Sequence, residues 1–378
     1  MTPLALGRGG PFLALLRKAR LLRDDGHEGF DAARASLAII AVTWLPLVLL
    51  APVSRGSAVL LTDFSVHARL LLSVPLILEA DVVLHRLIAV ATARFAEETL
   101  AEGQEPGRLA GIQRRAEALR SSVVVELLCL SMALLIGQLG LWSHKANPLS
   151  IQGLAAPPIS ATTIWYGFVA LPAFLFLLYR ALWRWLVWAW MLWRFSRMKL
   201  RLVPTHPDLS GGLGLLAIPL RGFALDLLAV AVGVAGAWGT QIAFRGVSVR
   251  MFAPSLALLV AIALLLGLGP LLVFSGKLLY AKLLARVQYG TLARAYTGEF
   301  DDRWIVHAQK EGLLGTPDLQ SLADLVNSYA VVRKMRVAPF DMYDALLVAV
   351  PVLLPTCPLI LTEVPLHTLL PKLASALL

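Results

Sequence analysis

The chain has 378 residues, of which 58% are hydrophobic and only 15% charged. A soluble globular domain carries about 25% charged residues, and this chain's mean hydropathy of +0.73 excludes one. The net charge of +10 would suggest nucleic acid in a soluble protein, but no motif has groove-reading spacing, so no nucleic-acid partner is expected. The expected fold class is all-α: a polytopic transmembrane helical bundle of about seven spans with a small helical cytoplasmic region. The apolar runs are long enough for ~20-residue helical spans, and they lack the alternation of a barrel strand.

Residues 1–35 read as a cytoplasmic amphipathic segment lying on the membrane surface. Arg17, Lys18 and Arg20 follow the short apolar run Pro11–Leu16 at once, and no small-residue cleavage site comes next. The first span is Leu37–Val53, interrupted by Pro46. The second, Ala68–Val90, carries Glu79, Asp81 and His85. A charged loop over 91–120 leads to the third span, Ser121–Trp142, which holds Glu126. After a Pro-, Ser- and Ala-rich loop, the fourth span starts near Ile164 and runs on as a Trp- and Arg-rich helix to Met198. The loop 194–221 precedes the fifth span, Gly222–Phe244, and the sixth is Ala253–Phe274. Six spans thus make a bundle over 36–276. Residues 277–340 form a cytoplasmic helical region, and 341–378 a proline-broken seventh segment and the C-terminal stretch. Pro351, Pro355 and Pro358 leave open whether that segment crosses or dips back.

Lys and Arg alternate between loop sets. Residues 1–35 hold six, 86–120 six, 194–221 five and 277–340 nine, and the intervening loops are nearly bare. The positive-inside rule then places the N-terminus in the cytoplasm and also explains the high charge. The helix of 277–340 is expected to begin at Thr316 as cap with Pro317 at its first position. It should end before Pro339. Leu319, Leu322, Leu325 and Val326 recur at helical spacing, so one face should pack, on the Pro204–Gly214 loop or on a neighbouring subunit.

Glu79 and Asp81 fall near mid-membrane, where an ionised carboxylate costs roughly 3 kcal/mol or more unless paired or wetted. They point about 200° apart on a helix. Asp81 shares a face with His85, and Glu79 with Arg86. This pattern suits a polar ion path along the second span, or a fixed salt-bridge network locking the bundle. Glu126 lies at a depth where it could meet Arg86 or His85. Arg180 lies within the hydrocarbon and could pair with Glu79 or Asp81. Arg180 and Arg184 could equally snorkel past an aromatic belt of Trp183, Trp185, Trp188, Trp190 and Trp193. Asp226 reads as a helix-start acid. In Pro204-Thr205-His206-Pro207-Asp208, His206 and Asp208 could offer two metal ligands, which do not make a site, so the metal and any cofactor are unknown. The simpler reading is a rigid turn. Gly233, Gly236 and Gly239 read as a helix-packing surface. Cys129 and Cys357 have no metal or disulfide spacing.

The strings Thr205-His206-Pro207-Asp208…Gly211-Gly212-Leu213-Gly214 and Gly315…Gln320-Ser321-Leu322-Ala323-Asp324-Leu325, with Met335-Arg336 and Pro339-Phe340, resemble an uncharacterised family of bacterial multi-spanning membrane proteins. The resemblance implies residence in a bacterial inner (cytoplasmic) membrane and carries no activity. From the residues, the leading expectation is an oligomeric ion channel or transporter built on Glu79, Asp81, His85, Glu126 and Arg180. Its partners would be the lipid bilayer, further copies of itself and an ion or small solute. A non-catalytic scaffold or regulatory subunit is the alternative. A membrane-embedded enzyme is the third, disfavoured because no GxSxG, HExxH or dinucleotide fingerprint is present.

Overall fold

A computed structural model describes residues 11–18, 28–52, 61–98, 106–142, 160–306 and 317–362. It is all-α, with no β-strand among the described residues. The helices are α1 (Pro11–Lys18), α2 (Glu28–Thr43), α3 (Leu45–Leu50), α4 (Phe64–His67), α5 (Val74–Glu98), α6 (Pro106–Arg120), α7 (Val123–Trp142), α8 (Ala161–Trp165), α9 (Leu171–Ser196), α10 (Leu220–Arg245), α11 (Ala253–Leu268), α12 (Ser275–Phe300), α13 (Asp318–Lys334), α14 (Met342–Leu353) and α15 (Cys357–Ile360).

Local chemistry sets many of the ends. Asp63 caps α4 by accepting from the Ser65 backbone N–H, and Ser160 caps α8 by accepting from Thr163. Asp341 and Asp344 form a reciprocal capping box at the start of α14. Gly246, at φ +64°, ends α10 in the left-handed region that a side chain disfavours. Pro46 separates α2 from α3 by a single residue, Trp44. Pro317 sits just before α13, one position earlier in the helix frame than expected, and Thr316 lies outside the described residues.

Among the described residues, six helical runs are long and apolar enough to cross a membrane: Ala32–Leu50, Gly107–Leu139, Ala161–Ser196, Gly214–Arg245, Val249–Val306 and Met342–Ile360. The chain is therefore built as a multi-pass membrane protein. The proline-broken last segment is in this set, because short 3₁₀ turns carry the helix past Pro355. The expected second span is helical from Phe64 to Glu98, through a π-helical turn at Ala68–Ser73, but it is not in the set. Arg69, Glu79, Asp81 and Arg86 make it too polar. That polarity is tolerated because α5 packs between α2, α9 and α10, so much of its surface faces protein.

The expected boundary between a sixth span and a separate region at residue 277 is not a break in the helix. Helical backbone runs without interruption from Val249 to Val306. At 1.5 Å per residue that is about 85 Å, well beyond a ~30 Å hydrocarbon core. Gly269-Pro270 is absorbed as a 3₁₀ turn. α13 folds back on α12, with the Tyr296 hydroxyl donating to the Asp318 carbonyl and Arg286 to the Arg333 carbonyl.

Glycines set how closely α10 approaches its neighbours. A Cβ on Gly222 would lie 2.9 Å from Leu84 Cα on α5, and one on Gly236 would lie 2.8 Å from Ala68 Cβ. The small surface expected on this helix thus packs within the chain. Gly236→Val should force α10 away from the π turn and cost roughly 1–3 kcal/mol. Gly276→Ala, with nothing within 4 Å of the added carbon, should leave thermal unfolding in detergent close to wild type. Equal melting temperatures for the two variants would contradict this packing.

Candidate functional site

Five helices bring ionisable side chains to one place inside the bundle. Asp81 on α5 lies at the centre. Its Oδ1 accepts from Arg184 Nη1 on α9 at 2.7 Å and from Arg120 Nη2 at the end of α6 at 2.9 Å. Its Oδ2 is 3.9 Å from Arg180 Nη2. Arg180 Nε is 3.5 Å from Glu126 Oε1 on α7. Arg184 Nη2 reaches both oxygens of Asp226 on α10, at 3.2 and 3.3 Å. Arg120 Nη1 lies 3.4 Å from His85 Nδ1. The other Glu126 oxygen accepts from the Phe12 backbone N–H at 2.7 Å, and the Phe12 ring lies under the Arg180 guanidinium at 4.6 Å.

Among the described residues this cluster holds three carboxylates and three guanidinium groups. Unpaired, each would be prohibitively costly in an apolar interior. The one-to-one balance is what lets the set be buried. A cavity of about 20 Å³, lined by Asp81, His85, Arg120, Arg184, Trp188 and Met191 among others, adjoins it. That is room for one water. Arg184 Nε is a buried donor with no hydrogen-bond partner among the described residues.

The structure brings Asp81, His85, Glu126 and Arg180 together, but not in every pairing that spacing suggests. Glu126 pairs with Arg180 and not with Arg86 or His85, because α7 packs against α9. Asp81 and His85 both contact Arg120. Arg180 is nearest Glu126, with Asp81 second. Glu79 is half-buried on the other side of α5 and has no ion-pair partner among the described residues. Three members were missed. Arg120 looked like the end of a surface helix, Arg184 like a snorkelling belt residue, and Asp226 like a helix-start acid. The available signal was that both Arg184 and Asp226 lie inside apolar runs, Asp226 about one turn from the start of its span and Arg184 more than two turns before the charge that follows it, Arg194.

The tryptophans partly tie helices together. Trp183 Nε1 donates to the Leu119 carbonyl, Trp185 Nε1 to the Leu266 carbonyl, and Trp188 is buried. Trp193 is exposed, with the Arg197 guanidinium 5.3 Å from its ring centre.

A second polar group, just before the start of α5, was also missed. Asp63 accepts from the Thr240 hydroxyl at 3.0 Å, and the Arg69 guanidinium donates to the Tyr166 hydroxyl at 3.2 Å. Ser73 donates to the Ala229 carbonyl. Trp44 Nε1 donates to His67 Nδ1 and His67 Nε2 faces the Leu61 carbonyl. That arrangement requires the proton on Nε2.

His206 and Asp208 are adjacent, with His206 Nδ1 2.7 Å from Asp208 Oδ1. Asp208 is occupied by its own loop: it accepts backbone N–H groups of Ser210, Gly212 and Gly214. No group of three or more metal-ligand side chains occurs among the described residues. The loop meets the α13 region at the helix exit, and not along Leu319–Val326. Arg336 N donates to the Leu209 carbonyl at 2.6 Å, and buried Met335 lies over Gly211. Leu319 and Val326 are exposed. Asp208, and not the helix, holds His206. Lys277 reaches across to the Met198 carbonyl.

Comparison with protein-family models, with characterised proteins and with solved structures gives no match.

Two predictions follow from these geometries. Arg180→Met and Glu126→Leu should each destabilise the protein by roughly 3–5 kcal/mol, since each leaves its partner's charge buried. The double variant should lose less than the sum, with a coupling of roughly 0.5–3 kcal/mol in detergent unfolding; additive losses would contradict the pairing. For Asp208, burial pushes the carboxyl up, but the N–H groups of Ser210, Gly214 and Gly212 and the His206 contact outweigh it and hold it below its ordinary value. A lowered carboxyl contributes stability above its unfolded pKa of about 3.9, and loses it as pH falls through the folded value. Asp208→Asn should therefore melt below wild type at pH 7, with the gap closing below about pH 4. A gap independent of pH would contradict it.

Proposed function

We propose that this chain is an ion transporter or channel, with the Asp81 cluster as its working centre. The observation that carries the reading is a charge-balanced set of six ionisable groups from five helices, buried in an apolar bundle beside a water-sized cavity. Polar groups at such depth are functional by default, since buried ion pairs contribute little net stability. Protonating Asp81 or Asp226 removes one negative charge and leaves Arg184 short of a partner. Arg184 then shifts toward the other carboxylate, and α5 and α10 shift with it. A proton or small ion entering beside His85 is coupled in this way to a change in helix packing.

The proposal places the protein in a bacterial inner membrane with its N-terminus in the cytoplasm, as the alternation of basic loops supports. It works as a homo-oligomer; the exposed apolar faces of α11 and α12, including Leu258, Leu265, Leu283 and Val287, support that. The rival reading is a scaffold or regulatory subunit in which the same cluster is a static lock.

The test is flux from proteoliposomes for protons, alkali cations and halides at set voltages. Wild type should conduct at least one of them. Asp81→Asn, recovered as a folded protein by gel filtration, should change that flux at least tenfold, and Glu79→Gln should change it much less. Wild-type liposomes tight to all three classes would sink the transport reading and leave the scaffold.

A further inference from the structure

A cleft of about 110 Å³ opens between α9, α10 and α11, on the other side of Arg184 from the water-sized cavity. Its walls are apolar: Leu182, Phe223, Leu227, Val230 and Leu266 with the face of Trp185. The indole N–H of Trp185 is already given to the Leu266 carbonyl. Leu182 is exposed, so the mouth faces the lipid side of the bundle. The one ionisable residue in the lining is Asp226.

Among the described residues, Asp226 is under-supplied with donors. Both of its oxygens share a single Arg184 nitrogen, at 3.2 and 3.3 Å. An ionised carboxylate accepts up to about four hydrogen bonds. Lone pairs therefore remain beside an apolar cleft, where a missing donor is costly.

Charge decides which donor fits. The cluster is already balanced at three carboxylates and three guanidinium groups among the described residues. An ammonium would add an uncompensated charge in an apolar site, and an anion would meet Asp226. An uncharged O–H head satisfies the lone pairs and keeps the balance. Size sets the rest: an engineered apolar cavity of about 150 Å³ holds a benzene ring, so this cleft takes a head and a few carbons, and a longer chain trails into the bilayer.

We propose that this cleft is a lateral binding site for a neutral hydroxylated lipid, whose O–H donates to Asp226 and whose first carbons lie against Trp185, Phe223 and Leu227. The site shares Asp226 with the proposed transport centre, but lipid binding there does not require that the chain transport ions.

The experiment photolabels the purified full chain with a diazirine-bearing hexadecanol and maps adducts by peptide mass spectrometry. Adducts should concentrate in residues 178–185 and 223–230. Decanol should compete at least tenfold better than decylamine or decane. Leu227→Trp and Val230→Phe, which fill the cleft, should each cut labelling there about tenfold while gel filtration shows a folded protein. Three results would overturn the site: labelling spread evenly over the lipid-facing residues of α7 and α11, cleft labelling unchanged in a folded filling variant, or equal competition by the three compounds. If neither filling variant folds, the competition series on wild type decides alone. Binding is read without flux, so silence in the ion assay leaves this result standing, and failure here leaves the transport reading standing.

Discussion

Arg184 is a guanidinium held where no water reaches it freely, and the arrangement of the central helices follows from what that requires. A single carboxylate would neutralise its charge but leave donors unmet. It has two, Asp81 at 2.7 Å and Asp226 at 3.2 Å, from different helices on either side. Asp81 in turn accepts from Arg120, which draws in the end of α6, and lies near Arg180, whose second partner Glu126 brings α7. Each added cation needs an added anion, and the set closes when the charges balance. Deep charges in a membrane bundle are costly singly and tolerable only as a complete group.

That closure depends on how near α5 and α10 come together. Gly222 lies one turn before Asp226, and the space its side chain would need is filled by the Leu84 backbone, 2.9 Å from the missing carbon. Leu84 lies less than one turn after Asp81. The glycine thus sets the distance between the helices that carry the two carboxylates, and Arg184 fits between them. Further along, Gly233 and Gly236 hold α10 against Arg69 and Ala68. There Asp63, Thr240 and Tyr166 satisfy a second set of polar groups. Small residues and charges alternate along one contact: the first set the approach and the second fix the register.

Composition and apolar run length were enough to read the helical class and six of the seven expected spans, because spanning a bilayer constrains a sequence strongly. Asp81, Glu126 and Arg180 were legible as unusual because of their depth. Their partners were less so. Helical spacing reports which residues share a face of one helix, so it found Asp81 with His85. It holds no information on which helix lies opposite, and the ion pairs that form here join residues 39 or more apart, such as Asp81 with Arg120 and Arg180 with Glu126. Arg120 was hidden for another reason: it ends a run of surface charges, and only the fold turns it inward. The loop at Asp208 read as a rigid turn from only part of what shapes it. Prolines and glycines marked it, and the carboxylate that gathers its N–H groups is what fixes its shape.

The asymmetry around Arg184 is the feature that a purely structural account explains least well. A lock would satisfy every donor and fill every gap, since a complete network is stronger than a partial one. Here, among the described residues, Arg184 Nε has no hydrogen-bond partner, a water-sized cavity lies on one side and an apolar cleft on the other. Apolar side chains of similar volume would pack such a centre at no loss of stability, and often with a gain. What they could not do is let one cation choose between two carboxylates with space beside each. A centre that moves needs two arrangements of comparable energy, and the gaps beside the two carboxylates are the support this site offers to the transport proposal.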